Sequence, residues 1–249
     1  MKFLGVKDFV VFDEFINHFI YESKMQLKLR EKLIKEIRKF KPQTIISFDI
    51  SNIFDENPDH KLLSKIVLES ALFSAYPLIH KEHYNEGLKP HFMSRVLMTP
   101  TTLPNLYLNI DKIDLNNKIK AGFAYKSQLE LMYNEFKNPP SDYEIDIPFK
   151  NIPIEELWPM ICESDAKSCA EKAKKFYKEN LYINPYSEQE LSRFEYAEEF
   201  RVVFLGVLEK IKNILPKELY KIFFKSLLNN FLIFLVEVFI SKSYEFFNY

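Results

Sequence analysis

Three of the chain's five histidines, His80, His83 and His91, lie close together in the stretch AYPLIHKEHYNEGLKPHF. Imidazole is a common zinc ligand, and Glu82 and Glu86 in the same stretch offer carboxylate oxygens. The order His-Lys-Glu-His does not match the helical His-Glu-x-x-His signature of zinc proteases, however. We therefore interpret this stretch as a solvated helix end, and we predict that the chain holds no metal and no cofactor.

The other reactive side chains lack partners for catalysis. Cys162 and Cys169 are seven residues apart, on one face of a predicted helix with alanine neighbours, which indicates buried small side chains rather than nucleophiles. The adjacent carboxylates Glu155 and Glu156 point about 100° apart on a helix, so they make a poor acid–base pair. We predict no catalytic residue.

Composition excludes several classes of function. The 249 residues contain 34 lysines and arginines against 35 aspartates and glutamates, so no net charge draws the chain to nucleic acid or to an anionic membrane. The chain has four glycines, whereas phosphate-binding loops and nucleophile elbows depend on glycine, which adopts positive φ at little cost. Two cysteines cannot form a disulfide framework, which favours a reducing cytosol.

Apolar periodicity predicts helices along most of the chain. Apolar residues recur every three or four positions from Lys24 to Phe40, and Lys41-Pro42 ends that helix. Asn57-Pro58 predicts a capped helix that runs to Tyr76, and a further helix is predicted from Ile113 to Phe136. The stretch TIISFDI could form a short strand. We prefer a helix there, because no partner strand with alternation or a hairpin turn lies nearby.

The second half of the sequence is also predicted to be helical. Ser187 and Glu190 form a capping-box pattern, and the helix that it starts is predicted to reach Leu215. Pro216 begins a final helix, whose part LLNNFLIFLVEVFI from Leu227 to Ile240 is apolar nearly all round. Such a helix must be covered on all sides, and it is too short to span a bilayer. The cover is the rest of this protein, a segment lost from the chain, or a partner subunit. We predict a protein interface, centred on Phe231, Phe234, Val238 and Phe239.

These elements together predict an all-α protein built as an elongated stack of antiparallel helical bundles. We divide it into an N-terminal bundle region, residues 1–140, and a continuous C-terminal helical region, residues 141–249, with a soft boundary near 138–148. A second candidate surface is a stripe of lysines along the first helix: Lys24, Lys28, Lys32, Lys35 and Lys39. Because Glu31 and Glu36 interleave with these lysines, a solvated face is the favoured interpretation, and a surface for an anionic partner is the alternative.

Two short motifs resemble the zeste-white-ten family of tethering proteins. The first is Leu72-Phe73 followed by Pro77 and His80-Lys81-Glu82. The second is Leu215-Pro216-x-x-Leu219-Tyr220, followed by Leu227-Leu228-Asn229. The similar region runs from about Phe40 to Val236. Because only about forty residues precede it and the chain stops at Tyr249, the sequence resembles a reduced or truncated member of that family.

The resemblance implies a non-enzymatic helical subunit of a vesicle-tethering complex for Golgi-to-ER retrograde transport, or of a kinetochore complex. Its partners would be the protein subunits of that complex, and it would have no small-molecule substrate. It would be cytoplasmic, and either peripheral to the endoplasmic reticulum membrane through its partners or located at kinetochores. The alternative is a helical scaffold or inhibitor that binds a ribonucleoprotein such as the ribosome through the lysine stripe.

Overall fold

A computed structural model of the chain describes residues 5–6, 9–12, 22–55, 57–137, 151–181, 183–207, 210 and 233–235. The chain divides into two compact units, each assembled from separate stretches. The first unit comprises Met1–Val10, Tyr107–Glu179 and Tyr186–Glu198. The second comprises Val11–Leu106, Asn180–Pro185 and Glu199–Tyr249, and it contains the candidate site.

A mixed five-stranded sheet is the main departure from the sequence-based expectation. Its strands in chain order are β1 (Thr44–Ser47), β2 (Arg95–Met98), β3 (Leu106–Ile110), β4 (Tyr196–Phe204) and β5 (Ile233–Leu235). The spatial order is β3-β4-β2-β1-β5. Strand β1 runs parallel to β2 and β5, whereas β4 runs antiparallel to β2. The predicted all-α stack of helical bundles is therefore wrong, and the protein is an α/β protein.

Strand β1 shows why the helix prediction for TIISFDI was wrong. Its partner β2 lies about fifty residues further along the chain, and the register pairs Ile45 with Val96. Parallel strands are joined by a long crossover rather than a hairpin, so the lack of a nearby partner did not argue against a strand. Both isoleucines are β-branched, and Ile45 is fully buried, as expected for a strand of a parallel sheet.

Two helices of the second unit pack on the strands. Helix α1 spans Ser23–Phe40, which confirms the predicted amphipathic helix, and helix α2 spans Pro58–Phe73. The side chain of Asn57 accepts a hydrogen bond from the backbone N–H of Asp59, so the predicted cap of α2 is confirmed. These helices and strands share a buried apolar core, which includes Leu33, Ile37, Ile45, Val67 and Val96.

The helices of the first unit are α3 (Lys112–Ala124), α4 (Lys126–Lys137), α5 (Ile154–Glu179) and the short α6 (Glu188–Ser192). The single helix predicted from Ile113 to Phe136 is thus two helices, broken at Tyr125. The capping box of Ser187 and Glu190 is confirmed. The helix that it starts ends at Ser192 rather than Leu215, because the following YAEEFRVVF is rich in aromatic and β-branched residues and forms β4.

The apolar C-terminal segment was also misassigned where the structure describes it. Ile233–Leu235 forms β5, and Phe234 pairs with Ile45 of β1. A continuous apolar run is typical of a parallel strand as well as of a buried helix, and periodicity alone does not separate them. Phe231, Val238 and Phe239 of the predicted interface lie outside the described residues. Within the described part of the chain, no helix is long and apolar enough to cross a bilayer.

Tyr177 gives a test of packing in the first unit. Its fully buried hydroxyl accepts a hydrogen bond from the backbone N–H of Tyr107 and donates one to the carbonyl of the same residue. Tyr186 also donates to that carbonyl, and Tyr177→Phe removes the two hydrogen bonds that the Tyr177 hydroxyl makes to Tyr107. We expect the variant to lose about 1 to 3 kcal/mol of unfolding free energy in urea. Tyr84→Phe, at an exposed ring, is the control and should stay within about 0.5 kcal/mol of the parent.

Candidate functional site

The candidate site lies at the carboxyl ends of β1 and β2. Parallel strands end at the same edge of a sheet, and in open α/β sheets ligands bind outside that edge. Phe48 and Asp49 follow β1, and Thr101 lies three residues beyond β2. Because β4 is antiparallel to β2 and pairs Arg201 with Met98, it brings Arg201 to the same edge. All of these residues belong to the second unit.

A buried ion pair between Asp49 and Arg201 forms the centre of this edge. Arg201 donates from Nε to one carboxylate oxygen of Asp49, at 2.8 Å, and from Nη2 to the other. The hydroxyls of Thr101 and Ser51 also donate to this carboxylate. The Asp49 side chain is fully buried, whereas that of Arg201 is 22% exposed. One carboxylate thus joins the segments that follow β1 and β2 to strand β4.

The charge of Asp49 is maintained by these donors. Burial would raise the pKa of this carboxyl, but the hydrogen bonds from Arg201, Thr101 and Ser51 outweigh burial and lower it. Asp49 is therefore ionised at neutral pH. Because its oxygens are already occupied by Arg201 and two hydroxyls, a metal ion could bind Asp49 only by displacing the guanidinium.

His60 is the most reactive group near this edge. Its ring stacks on Phe48, with 3.8 Å between ring centroids. Asp55 accepts a hydrogen bond from Nδ1 at 3.1 Å, and the amide of Asn57 lies 3.3 Å from Nε2. Asp55 thereby fixes the tautomer with the proton on Nδ1, which leaves the lone pair on Nε2. The His60 side chain is 31% exposed, so solvent reaches the imidazole that carries this lone pair.

The histidine-rich stretch forms a second cluster in the same unit. One ligand atom from each of Glu31, His80, Glu82 and His83 lies within 4.8 Å of the others. His83 is buried, unlike the solvated helix end expected from the sequence. Burial and the neighbouring Arg38 lower the pKa of His83, so it is neutral at pH 7. His91 is separate from this cluster and donates from Nε2 to the carbonyl of Pro42 at 2.6 Å.

The lysine stripe and the two cysteines lie elsewhere. Stripe lysines contact their own chain: Lys35 pairs with Glu86 at 2.7 Å, Lys39 lies 3.5 Å from Glu36, and Lys32 lies over the ring of Phe12. Lys24 and Lys28 line the exposed start of α1. Cys162 and Cys169 are buried on α5, as expected, and burial raises the pKa of the Cys162 thiol to about 11.

Sequence reasoning missed every member of the sheet-edge site. Asp49 and Thr101 lie two and three residues after the apolar stretches that become β1 and β2, and functional side chains of parallel strands lie at those strand ends. That signal was present, but it is readable only once TIIS is taken as a strand. Arg201 carries no comparable signal, because it reaches Asp49 across 152 residues of sequence. His60 lies near the start of the helix predicted from Asn57-Pro58, and sequence reasoning did not single it out.

Part of the chain is similar in sequence to an enzyme. A diacetylchitobiose deacetylase from Thermococcus kodakarensis is 25% identical over 101 residues, which is 41% of this chain and 38% of the relative. A solved N,N'-diacetylchitobiose deacetylase from Pyrococcus horikoshii aligns at 22% identity with a TM-score of 0.49, covering 76% of this chain and 54% of that one. A TM-score of that size does not by itself establish a common fold. No protein-family model matches the chain.

These findings overturn the function expected from the sequence. The zeste-white-ten resemblance rested on helix-based motifs, whereas the chain contains a mixed sheet. The sequence similarity is to an enzyme that acts on a small molecule, not to a tethering or kinetochore subunit. The predictions of a non-enzymatic protein without a small-molecule substrate were therefore wrong, and the ribonucleoprotein alternative gains no support.

Replacing Asp49 tests the buried ion pair. Asp49→Ala leaves the guanidinium of Arg201 without its counter-ion, so we expect a loss of about 3 kcal/mol of unfolding free energy at pH 7. The carboxyl pKa is lowered by folding, so its contribution is present above the unfolded value near 3.9 and is lost as the pH falls below it. The difference between parent and variant, measured by urea unfolding, should therefore shrink between pH 6 and pH 3.

The control for this measurement is Glu69→Gln, which removes a half-exposed partner of Arg30. Solvent screens such pairs, so we expect a change below about 1 kcal/mol. An Asp49→Ala loss no larger than that of the control, or one that is equal at pH 6 and pH 3, would contradict a buried ionised pair.

Proposed function

We propose that this chain is an amide hydrolase that removes the acetyl group from an N-acetylated amino sugar at the carboxyl edge of β1 and β2. The observation that carries the proposal is His60, held by Asp55 beside this edge with a partly exposed imidazole. The similarity to a diacetylchitobiose deacetylase supplies the substrate class. The match covers less than half of that relative, so the activity of the whole protein is part of the proposal.

His60 acts as the general base. With its Nδ1 proton donated to Asp55, its Nε2 accepts a proton from a water molecule. Asp55 holds the ring in the required tautomer and stabilises the imidazolium that forms, as a carboxylate does in other histidine-dependent hydrolases. The Asn57 amide at 3.3 Å from Nε2 is a weak contact that a water can replace.

Arg201 stabilises the charge that develops on the substrate. Its Nε and Nη2 hold Asp49, and Nη1 has no hydrogen-bond partner among the described residues, so it can donate to the acetyl oxygen. The guanidinium is fixed by a buried carboxylate and is still 22% exposed, so it is preorganised at a surface that a substrate reaches. Asp49 therefore acts through Arg201 as a positioning residue.

The reaction balances with water as the only co-reactant. The water oxygen bonds to the acetyl carbon while its proton moves to Nε2 of His60, and the carbonyl oxygen becomes an oxyanion that faces Arg201. The carbon–nitrogen bond then breaks, and the proton on His60 passes to the departing nitrogen. The products are acetate and the free amino sugar.

Substitution of Asp55 and His60, the hydrolytic dyad, tests their proposed roles. We expect His60→Gln to lower kcat for acetate release from diacetylchitobiose by about 100-fold to 10,000-fold, because the general base is lost. Asp55→Asn should also lower kcat, with a smaller effect on KM, because the ring loses its orienting acceptor. Acetate is measured by proton NMR, and the fold of each variant is checked by circular dichroism.

The matched control is Lys65→Gln, at an exposed position on the same helix as His60. It should retain the parent kcat. A parent chain that releases no acetate from diacetylchitobiose or from longer N-acetylated oligomers would refute the proposed activity. A folded His60→Gln variant with full activity would refute the role of the dyad.

A further inference from the structure

A second polar cluster, separate from the sheet-edge site, lies between α1 and the 3₁₀ helix Lys81–Glu86. Glu31 comes from α1, whereas His80, Glu82 and His83 come from the start of the 3₁₀ helix. His80 adopts a left-handed backbone conformation with φ of 48°. A residue other than glycine is strained in that region, and such strain is concentrated at functional positions. All four residues belong to the second unit.

The cluster has the donor atoms and the spacing that a zinc-like cation requires. His80 Nδ1 and Glu82 Oε1 are 3.0 Å apart, and the four ligand atoms lie within 4.8 Å of one another. Tetrahedral zinc with bonds of about 2.0 to 2.1 Å places neighbouring ligand atoms about 3.3 Å apart. The distance between His80 Nδ1 and Glu82 Oε1 is therefore already close to that spacing. The other ligand atoms reach it with movements of up to about 1.5 Å.

Arg38 determines the role of His83 in this cluster. Its Nη1 lies 3.1 Å from Nδ1 of His83, and a guanidinium can only donate, so Nδ1 accepts and the ring proton is on Nε2. The Nη2 of Arg38 donates to the carbonyls of Tyr76 and Ile79, which keeps the guanidinium in place. His83 is thus a donor through Nε2, not a metal ligand.

The buried Nε2–H of His83 is the observation that points to a missing ligand. His83 is 2% exposed, and its Nε2 has no hydrogen-bond partner within the described part of the chain. A buried donor without an acceptor costs about 1 to 3 kcal/mol, so such groups normally have a partner. A carboxylate that moves in to bind a cation would supply the acceptor. Histidines or carboxylates that hydrogen-bond to metal ligands in this way orient them and tune their affinity.

The cluster is open to a pocket. Glu31 and His80 line this pocket, which has a volume of about 630 Å³, together with Lys24, Lys28 and Arg30 of α1. An ion held by three protein ligands at the wall of this pocket would keep a coordination position open to solvent.

We propose that Glu31, His80 and Glu82 bind one zinc-like divalent cation, and that His83 donates from Nε2 to a ligating carboxylate. The ion takes the place of the proton that His80 and Glu82 share. This site is independent of the proposed hydrolytic dyad, because Asp55 and His60 contribute no ligand to it.

Metal titration of the full chain tests this site without reference to activity. Chain stripped with a chelator and dialysed is titrated with ZnCl₂ by calorimetry and with CoCl₂ by visible absorption. We expect one ion per chain, Co²⁺ ligand-field bands, and an increase in Tm of about 5 to 10 °C at a hundredfold excess of Zn²⁺ over Kd. Glu82→Gln and His80→Asn should abolish the bands and weaken Zn²⁺ binding by at least about 100-fold. His83→Leu should weaken it by about 10-fold to 100-fold.

Two controls locate the ion. Glu86→Gln removes a nearby exposed carboxylate outside the cluster, and His60→Gln removes a histidine of the hydrolytic dyad; both should bind Zn²⁺ with the parent affinity. Because Glu82 is 59% exposed, Glu82→Gln should fold normally even if a substitution at buried His83 does not. Failure of the parent chain to bind Zn²⁺ or Co²⁺ would overturn the proposal. Parent-like binding by Glu82→Gln and His80→Asn would equally overturn it.

Discussion

The arrangement of the second unit depends on one buried carboxylate. Asp49 follows β1, and its two oxygens are held by Arg201 from β4 and by Thr101 from the segment after β2. Without Arg201, this fully buried charge would be costly, and without Asp49 the guanidinium would have no acceptor. The pair therefore holds the segments after β1 and β2 against strand β4. His60 is placed beside the same edge by its contact with the preceding residue, Phe48.

Local chemistry made part of this fold predictable. The amphipathic pattern of α1, the Asn57 cap of α2 and the Ser187–Glu190 capping box were all read correctly, because each depends on residues within one or two helical turns. The strands were not predicted. Strand β1 depends on a partner about fifty residues away, and the continuous apolar run that includes β5 has no period that separates a strand from a buried helix.

The candidate sites follow the same division between local and distant information. The histidine-rich stretch was visible in sequence, but Glu31, which lies about fifty residues earlier, joins it only through the packing of α1. Arg38 illustrates the limit most clearly: as one residue among the charges of an amphipathic helix it looks solvated, yet it is fully buried and donates to Tyr76, Ile79 and His83. Its role depends on acceptors that become neighbours only in the folded chain.

We propose that the carboxyl edge of β1 and β2 binds an N-acetylated sugar. Hydrogen–deuterium exchange with and without diacetylchitobiose tests it most directly, because the backbone amides of that edge are known from the fold. We expect slower exchange in the peptides that cover residues 49–60 and 99–103 when diacetylchitobiose is present. Slower exchange confined to α3 and α5, or no change in exchange at any concentration of diacetylchitobiose, would contradict sugar binding at this edge.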